Sequence, residues 1–326
     1  MTREPATREP ATRHLGLDLG GTNIKSVVTE RDGGGWRTLE QRQVTTPAER
    51  GPDVVIGRLV DVGRGAIADW PGVSTIGVGV PGLYDPANGT TRFLVNIPGA
   101  WAGKPVAGPI ADALGLPTVL INDARAFGLG ELRLGAGRGA TSMIGFTLGT
   151  GVGGVIVVDG RVVLGHDGTA GELGHQTIDP DGPSCGCGNH GCLEAFARAD
   201  RIAAACGTAT AEEAVEQARA GEPRAVAGLA RVGTYLGIGI ANMVAVLTPD
   251  RVVIGGGIAA ALDLLIGPIR AELSERVRTT SLDDVDIVAA ELGTWAGAIG
   301  AAIHGFEEAA RRETADHDGA PAVGPR

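Results

Sequence analysis

Residues 15–29 read LGLDLGGTNIKSVVT, two short apolar runs joined by Gly20-Gly21-Thr22-Asn23. Apolar runs of this length on either side of a glycine turn predict a β-hairpin. Residues 142–158, SMIGFTLGTGVGGVIVV, repeat the arrangement around Gly149-Thr150-Gly151. Strand and helix patterns alternate after each hairpin. The sequence therefore predicts an α/β fold of two similar halves with mixed sheets rather than one continuous parallel sheet.

The remaining elements follow from periodicity and from Gly and Pro punctuation. Further strands are predicted at 36–44, 75–80, 118–121, 161–164, 252–254 and 285–289. Helices are predicted at 52–70, 104–114, 124–134, 193–205, 211–220, 223–247, 258–278 and 296–311. Residues 83–103 are predicted as a long connection whose length suggests function. Residues 1–13 and 312–326 are predicted as disordered tails.

Composition limits the class of protein. The 326 residues are 43% apolar, enough for a large core, and carry a formal net charge of −10. This charge argues against partners such as nucleic acid or an anionic membrane, which bind basic clusters. The sequence has neither a run of about 20 apolar residues nor the apolar core of a secretory signal. We therefore expect a cytoplasmic protein.

Three of the four cysteines are clustered. His175 is followed by Cys185-Gly-Cys187-Gly-Asn-His-Gly-Cys192, and three thiolates with one imidazole form a complete tetrahedral set for a structural Zn²⁺. A disulfide pair with spare thiols is the alternative, and it fits a reducing compartment poorly. Glu172 and Glu194 flank these ligands without being needed for the metal. Their presence suggests that the metal braces a binding site.

The glycine turns are candidate phosphate sites, because glycine lets backbone N–H groups approach a phosphate closely. The first is Asp18-x-Gly20-Gly21-Thr22-Asn23-x-Lys25, in which the Thr22 hydroxyl can donate and Asp18 can hold Mg²⁺. An ordinary hairpin turn is the alternative. The second turn, Gly149-Thr150-Gly151, repeats this chemistry. Gly255-Gly256-Gly257 either admits an adenine or ribose or is only a tight junction.

Two matches to the dinucleotide motif G-x-G-x-x-G, at 77–82 and 149–154, are expected to be accidental. The motif requires a helix immediately after it. Pro81 disrupts a helix start in the first match, and a β-branched run, 155–158, follows the second. The P-loop motif does not occur in the sequence.

Taken together, these motifs resemble the ROK family (repressor, open reading frame, kinase) of sugar kinases, in the actin/hexokinase/Hsp70 superfamily. The motifs that carry the resemblance occur in family order over roughly residues 14 to 310: Asp18–Thr22, Asn122-Asp123, Gly149–Gly151, Glu172-x2-His175, the Cys185–Glu194 run and Gly255–Gly257. The resemblance implies a two-lobed, ribonuclease H-like actin fold with mixed sheets and an interlobe cleft for ATP-Mg²⁺ and a sugar. It also implies a homodimer or homotetramer.

The resemblance implies a lobe division and site residues. The small lobe would comprise 14–122 with 297–311, and the large lobe 123–296 with the zinc loop at 175–194. Asp123 matches the catalytic base, although Asn122-Asp123 alone is typical of a helix N-cap pair. Sugar contacts are implied for Gly82, Asn96, Asn122, Asp123, Glu172, His175 and Glu194, with His175 also a zinc ligand beside Cys185, Cys187 and Cys192. Nucleotide contacts are implied for Asp18, Gly20, Gly21, Thr22, Asn23, Lys25, Gly149, Thr150, Gly151, Gly255, Gly256 and Gly257.

The expected activity is ATP-dependent phosphorylation of a hexose at its 6-hydroxyl, with glucose as the leading substrate. The alternatives are N-acetylmannosamine, fructose or a cyclitol, because Ala100, Arg125 and Phe127 depart from the family pattern near the expected sugar pocket. Polyphosphate as donor is disfavoured because no basic patch marks a polyanion track. A repressor would need a basic helix-turn-helix before Asp18, and the short stretch that precedes Asp18 contains proline and is poor in helix formers. A non-catalytic sugar sensor is disfavoured by the presence of Asp123 and both phosphate turns.

Overall fold

The computed structural model describes residues 11–33 and 35–317. The chain divides into two compact units. Among the described residues, unit 1 contains those up to Leu134, residues 166–168 and those from Trp295 to His317. Unit 2 contains 135–165 and 169–294. Residues 1–10 and 318–326 of the predicted tails lie outside the described residues, as does Gly34.

Unit 1 is built on a five-stranded mixed sheet. The strands are β1 (Thr12–Leu19), β2 (Asn23–Asp32), β3 (Gly35–Thr45), β4 (Val73–Val80) and β8 (Thr118–Asn122), in the order β3-β2-β1-β4-β8. The first glycine turn joins β1 to β2 as the sequence predicts, and β1 to β3 pair antiparallel while β4 and β8 run parallel to β1. The helices of unit 1 are α1 (Pro52–Asp69), α2 (Ala107–Leu114), α3 (Asp123–Leu134) and α9 (Ala296–His317).

Helix α9 packs with its backbone directly against the sheet and against α3. A Cβ added to Gly16 on β1 would lie 1.8 Å from the carbonyl oxygen of Ala298, and one added to Gly77 on β4 would lie 1.8 Å from that of Ala301. On the helix itself, a Cβ at Gly300 would lie 1.7 Å from the carbonyl oxygen of Ala126 on α3. Because real Cβ atoms do not approach so closely, only glycine fits at these three positions.

The packing on α9 moves the unit boundary relative to the sequence prediction. The predicted division after Asn122 places α3 in the large lobe, whereas in the structure α3 packs on α9 and belongs to unit 1. The predicted tails are also shorter. Thr12 and Arg13 pair in β1, and α9 continues to His317, beyond the predicted end of that helix.

The predicted connection at 83–103 contains a small antiparallel sheet. Its strands are β5 (Gly82–Asp85), β6 (Thr90–Leu94) and β7 (Lys104–Pro105), in that order. The sequence prediction missed these strands because Gly and Pro residues interrupt the segment at five positions, 86, 89, 98, 99 and 103. Tyr84 and Trp101 are buried in the core of unit 1, so the segment packs as part of that unit.

Unit 2 is built on a second five-stranded mixed sheet. Its strands are β9 (Met143–Leu148), β10 (Val152–Val158), β11 (Arg161–Val162), β12 (Arg251–Gly256) and β13 (Asp286–Ala289), in the order β11-β10-β9-β12-β13. The second glycine turn joins the antiparallel strands β9 and β10, and β12 runs parallel to β9. The helices are α4 (Glu194–Ala197), α5 (Ala199–Cys206), α6 (Ala211–Arg219), α7 (Pro223–Leu247) and α8 (Leu262–Arg276).

Two predicted helices of unit 2 are interrupted. The helix predicted at 193–205 breaks into α4 and α5 because Arg198 takes an extended conformation with ψ of 159°. The helix predicted from residue 258 begins at Leu262, after a short 3₁₀ turn over Ala259–Ala261. Both breaks follow segments that the sequence assigns to binding.

Helix α7 is the core helix of unit 2. Within the described residues it is the one helix long and apolar enough, by length and composition alone, to cross a membrane. Half of its most apolar window is buried, and Leu229, Leu236 and Ile240 are fully enclosed in the core. A core helix passes the same composition test, so the length of α7 is explained by packing.

We predict that Gly300→Ala destabilises the protein by about 1–3 kcal/mol, because the new methyl group overpacks the contact between α9 and α3. Helix propensity alone predicts the opposite sign, a gain of about 1 kcal/mol. Gly57→Ala in α1 is the matched control, since an added Cβ there meets nothing within 4 Å. Urea unfolding of both variants measures the difference, and equal stabilisation of both would contradict the packing described.

Candidate functional site

The first glycine turn in unit 1 is held by Thr46. The Gly20 N–H donates to the carbonyl of Asn23 at 3.0 Å, which closes the turn. The Thr46 N–H donates to the carbonyl of Thr22 at 2.9 Å, and its hydroxyl donates to that of Gly20 at 2.7 Å. These bonds fix the turn carbonyls on one side. Sequence reasoning missed Thr46, which follows β3, is distant from the turn in the sequence and carries no motif.

Asn96 lies against this turn. A Cβ on Gly21 would lie 2.6 Å from the carbonyl oxygen of Asn96. Asn96 itself has a φ of 61°, in the left-handed region that few non-glycine residues adopt. The structure therefore brings together two residues that the sequence assigns to different substrates, Gly21 to the nucleotide and Asn96 to the sugar.

Asp18 is the last residue but one of β1 and lies beside the first turn of α9. Its Oδ2 lies 3.0 Å from the point where a Cβ on Gly297 would stand. Although part of the side chain is exposed, burial raises the pKa of Asp18 from 3.8 to about 6, and the charge of Lys25 opposes the rise. Lys25 is the residue paired with Asp18 across the hairpin. A carboxylate that burial keeps poorly solvated fits a divalent cation, because Mg²⁺ prefers oxygen ligands.

Asn122 and Asp123 stand where β8 meets α3. Asn122 Oδ1 accepts from the N–H groups of Ala124 and Arg125 at 3.0 and 3.2 Å, so Asn122 does form a helix N-cap. Its amide also donates to the carbonyl of Gly82 at 3.0 Å. Asp123 Oδ1 accepts from the Ala124 N–H at 2.8 Å, which orients the carboxylate at the start of the helix.

The second glycine turn, in unit 2, is tied to Glu194. Glu194 Oε2 accepts from the Val152 N–H at 3.0 Å, and a Cβ on Gly151 would lie 2.6 Å from that oxygen. The other carboxylate oxygen, Oε1, lies 3.6 Å from the Sγ of Cys185. One side chain therefore links the turn to the cysteine cluster. This link has no signature in the sequence, because Val152 and Glu194 are far apart along the chain.

The four predicted metal ligands converge in unit 2. The ligand atoms of His175, Cys185, Cys187 and Cys192 all lie within 4.8 Å of one another. Cys185 Sγ is 3.6 Å from His175 Nδ1, and the sulfurs of Cys187 and Cys192 are 3.7 Å apart. Tetrahedral zinc with bonds of about 2.3 Å to sulfur places two sulfurs about 3.8 Å apart. The donor set and spacing therefore fit Zn²⁺.

The thiols of the cluster differ in their environment. Burial raises the pKa of Cys185 to about 12 and also raises the pKa of Cys192. A backbone hydrogen bond from Asn189 lowers the pKa of Cys187, which is exposed. The two buried thiols need a bound cation to become thiolates, as metal ligation requires.

His175 and Glu172 share a short 3₁₀ turn, in which Glu172 is the N-cap of Leu173–His175. The Nε2 of His175 lies 4.0 Å from Glu172 Oε2, while its Nδ1 faces the cluster. Gln176, which sequence reasoning missed, fixes this segment. Its amide donates to the carbonyl of Leu173 at 2.9 Å and accepts from Asn242 at 3.2 Å.

The three consecutive glycines at 255–257 end β12 and lead toward α8. Gly256 has a φ of 83°, and a Cβ there would lie 2.1 Å from the carbonyl oxygen of Leu148. This glycine is required by packing on β9, which supports the tight-junction interpretation for Gly256. A Cβ on Gly257 would lie 3.5 Å from Glu212 Oε1.

Other sequence expectations concern residues outside these clusters. His166 and His190 are exposed, and Cys206 is a buried thiol of α5. Arg125 is almost fully buried in α3, and Phe127 is also buried. Burial of Arg125 and Phe127 identifies them as core residues of unit 1.

The chain is similar to known proteins over most of its length. A family model described as "ROK family" matches residues 14–305. The chain is 34% identical over 307 residues to a glucokinase from Thermotoga maritima, covering 88% of this chain and 95% of the relative.

Solved structures give the same result. A ROK hexokinase from Thermus thermophilus aligns with a TM-score of 0.79 at 36% identity, covering 92% of this chain and all of that one. A ROK glucokinase from Streptomyces griseus in complex with glucose and AMPPNP aligns with a TM-score of 0.74 at 31% identity, covering 91% of this chain and all of that one. These matches confirm the predicted fold class, the two-lobed actin-like α/β fold.

We predict that Asp18→Asn stabilises the protein at pH 8 by up to about 2 kcal/mol, allowing for the partial exposure of the side chain. The pKa of Asp18 is raised in the folded state, so its contribution to stability is greatest below pH 4 and is lost as pH rises through about 6. The advantage of the variant should therefore shrink toward pH 4. Urea midpoints without Mg²⁺ at both pH values measure it, with the exposed Asp112→Asn as control. An advantage independent of pH would contradict this account.

We predict that Cys187→Ser lowers zinc affinity by more than about a hundredfold, because a thiolate ligand is lost. Metal analysis of purified protein should give about one zinc per chain for the parent and for Cys206→Ala, the control outside the cluster. The Cys187→Ser variant should also unfold at lower temperature. Full zinc occupancy in Cys187→Ser would exclude Cys187 as a ligand.

Proposed function

The chain belongs to the ROK family and is an ATP-dependent sugar kinase, and we propose that it phosphorylates glucose at the 6-hydroxyl to give glucose 6-phosphate. The observation that carries the proposal is the pairing of Glu172 and His175 on one 3₁₀ turn beside the cysteine cluster. This turn presents a carboxylate and an imidazole nitrogen together, and both groups bond hydroxyls. The likeness to a glucokinase solved with glucose and AMPPNP supports glucose as the sugar.

Asp123 is proposed as the catalytic base. Its hydrogen bond from the Ala124 N–H orients the carboxylate at the start of α3. Phosphoryl transfer proceeds through a loose transition state, in which the base orients the attacking hydroxyl and accepts its proton late. Positioning of the hydroxyl contributes more to this role than proton abstraction does.

The sugar hydroxyls are assigned to side chains that retain bonding capacity. A carboxylate accepts two or more hydrogen bonds, so Glu172 and Glu194 suit hydroxyl groups. Glu194 already accepts from Val152 through one oxygen. Asn122 donates one amide hydrogen to Gly82, and its second is proposed to donate to the sugar. Gly82 and Asn96 are proposed as further contacts.

The two glycine turns are proposed to bind the phosphates of ATP through backbone N–H groups, with the hydroxyls of Thr22 and Thr150 and the charge of Lys25. Mg²⁺ bound at Asp18 would supply positive charge to neutralise the phosphates. The partly buried carboxylate of Asp18 would hold the cation, and the hydrogen bonds from Thr46 keep the first turn in place.

The cysteine cluster is proposed to hold a structural Zn²⁺ that takes no part in phosphoryl transfer. His175 Nδ1, which lies 3.6 Å from Cys185 Sγ, would ligate the metal and leave Nε2 directed toward Glu172. Zinc would thus set the tautomer and orientation of the imidazole. We also propose that the protein is cytoplasmic and that it assembles as a homodimer or homotetramer.

Another sugar or polyol, such as N-acetylmannosamine, fructose or a cyclitol, is the second candidate substrate. Ala100 separates Gly99 from Trp101 in the segment after Asn96. Trp101 is buried, and its Nε1 donates to the carbonyl of Pro98 at 3.2 Å. Ala100, one of the departures from the family pattern, therefore lies within a segment assigned to the sugar.

We predict that a panel of hexoses and polyols assayed by coupled ADP release gives the highest kcat/KM for glucose. In the same assay, Asp123→Asn should lower kcat by about 10²–10⁴-fold, because loss of a general base has this effect, while glucose affinity changes little. The asparagine keeps the acceptor oxygen for the Ala124 N–H, so the helix start is preserved.

Asp112→Asn, an exposed change in α2 of the same unit, is the matched control and should leave kcat unchanged. A higher kcat/KM for another member of the panel would identify that compound, and not glucose, as the preferred substrate. A kcat within about tenfold of the parent in Asp123→Asn would remove Asp123 as the base.

A further inference from the structure

Unit 2 contains a cavity of about 460 Å³ that is lined, apart from Thr150, by residues outside the sequence motifs. Thr150, from the second glycine turn, lines one side of it, and the first turn of α6 lines another, including Glu212. The volume is in the range of small-molecule sites. The cavity therefore lies beside a turn to which the proposed function assigns phosphates.

The cavity and the turn are joined by the backbone. The Ala199 N–H, at the start of α5, donates to the carbonyl of Gly149 at 2.8 Å, and Ala199 lines the cavity next to Thr150. A ligand whose phosphates lie on the turn can therefore extend directly into the cavity. The part of a nucleoside triphosphate that extends beyond its phosphates is the ribose and the base.

Glu212 differs from the other acids around the cavity. Asp200 is paired with Arg198, with 2.7 Å between Nε and Oδ1. Glu213, the next residue along α6, accepts from the Ala209 N–H at 2.9 Å and from Gln217 at 3.0 Å. Within residues 11–33 and 35–317, the exposed carboxylate of Glu212 has no hydrogen bond or ion pair.

The position of Glu212 points to the ribose. Its Oε1 lies 3.5 Å from where a Cβ on Gly257 would stand, so the carboxylate faces the glycine segment at the end of β12. A carboxylate can accept hydrogen bonds from two neighbouring hydroxyls at once. The ribose 2′- and 3′-hydroxyls are the vicinal pair of a nucleotide, whereas a phosphate oxygen in the same place would be repelled.

We propose that Glu212 is a specificity-determining residue that binds the ribose 2′- and 3′-hydroxyls of the nucleoside triphosphate, in the cavity beside Thr150. This inference rests on the proposed function for its phosphate site. It adds a residue and a selectivity that the glycine motifs do not supply. The carboxylate favours donors that carry an intact ribose over deoxynucleotides and over inorganic polyphosphate.

Calorimetric binding of ADP, 2′-deoxyADP and 3′-deoxyADP in the presence of Mg²⁺ tests the proposal. The parent protein should bind ADP about tenfold more tightly than at least one deoxy analogue, because a hydrogen bond to a charged group is lost. In Glu212→Ala the three affinities should fall within about twofold of one another. Glu216→Ala, an exposed change one turn along α6, is the matched control and should keep the preference of the parent.

A parent protein that binds all three nucleotides equally would overturn the proposal, and so would a Glu212→Ala variant that keeps the preference for ADP. The measurement needs no sugar. An absence of hexose turnover would therefore count against the proposed substrate and leave this result standing. An unchanged thermal midpoint in Glu212→Ala confirms that the variant is folded, as expected for alanine in a helix.

Discussion

The close contact between α9 and the sheet is the constraint on which unit 1 depends. Where a side chain would normally separate helix from strand, Gly16 and Gly77 let the helix backbone lie directly on β1 and β4. Gly300 provides the same closeness toward α3. This arrangement sets Asp18 beside the first turn of α9 and fixes the start of α3, where Asp123 stands. The positions of both carboxylates thus depend on the three glycines, which allow this close packing.

Unit 2 depends on a polar link instead. Glu194 accepts from Val152 in the second glycine turn and faces Cys185 in the cysteine cluster. A carboxylate bonded to a buried N–H is costly to remove, because the donor is then left unsatisfied. The turn, the cluster and the carboxylate therefore form one structural group rather than three motifs. The contacts proposed for phosphate and for sugar in this unit therefore share one supporting side chain, Glu194.

The sequence predicted local features well and long-range ones poorly. Both hairpins were predicted correctly because a glycine turn between apolar runs is a local signal. The convergence of His175 with the cysteines was also predicted, since ligand chemistry limits the choices. The packing of α9 on Gly16 was not, because Gly16 and Ala298 lie near opposite ends of the chain and glycine leaves no periodic signature. The roles of Thr46 and Gln176 were missed for a related reason, as each acts through hydrogen bonds to partners that the sequence pattern does not reveal.

Because α9 belongs to unit 1, its late synthesis also sets the order in which the two units can fold. Unit 2 ends at Thr294, whereas unit 1 needs α9 (Ala296–His317) to cover β1 and β4. Domains generally fold as their residues emerge from the ribosome. Unit 1, whose strand β1 is synthesised before unit 2, therefore completes its fold after unit 2. Until α9 emerges, one face of the growing sheet remains open to chaperones and to neighbouring chains, while the second unit can already be complete.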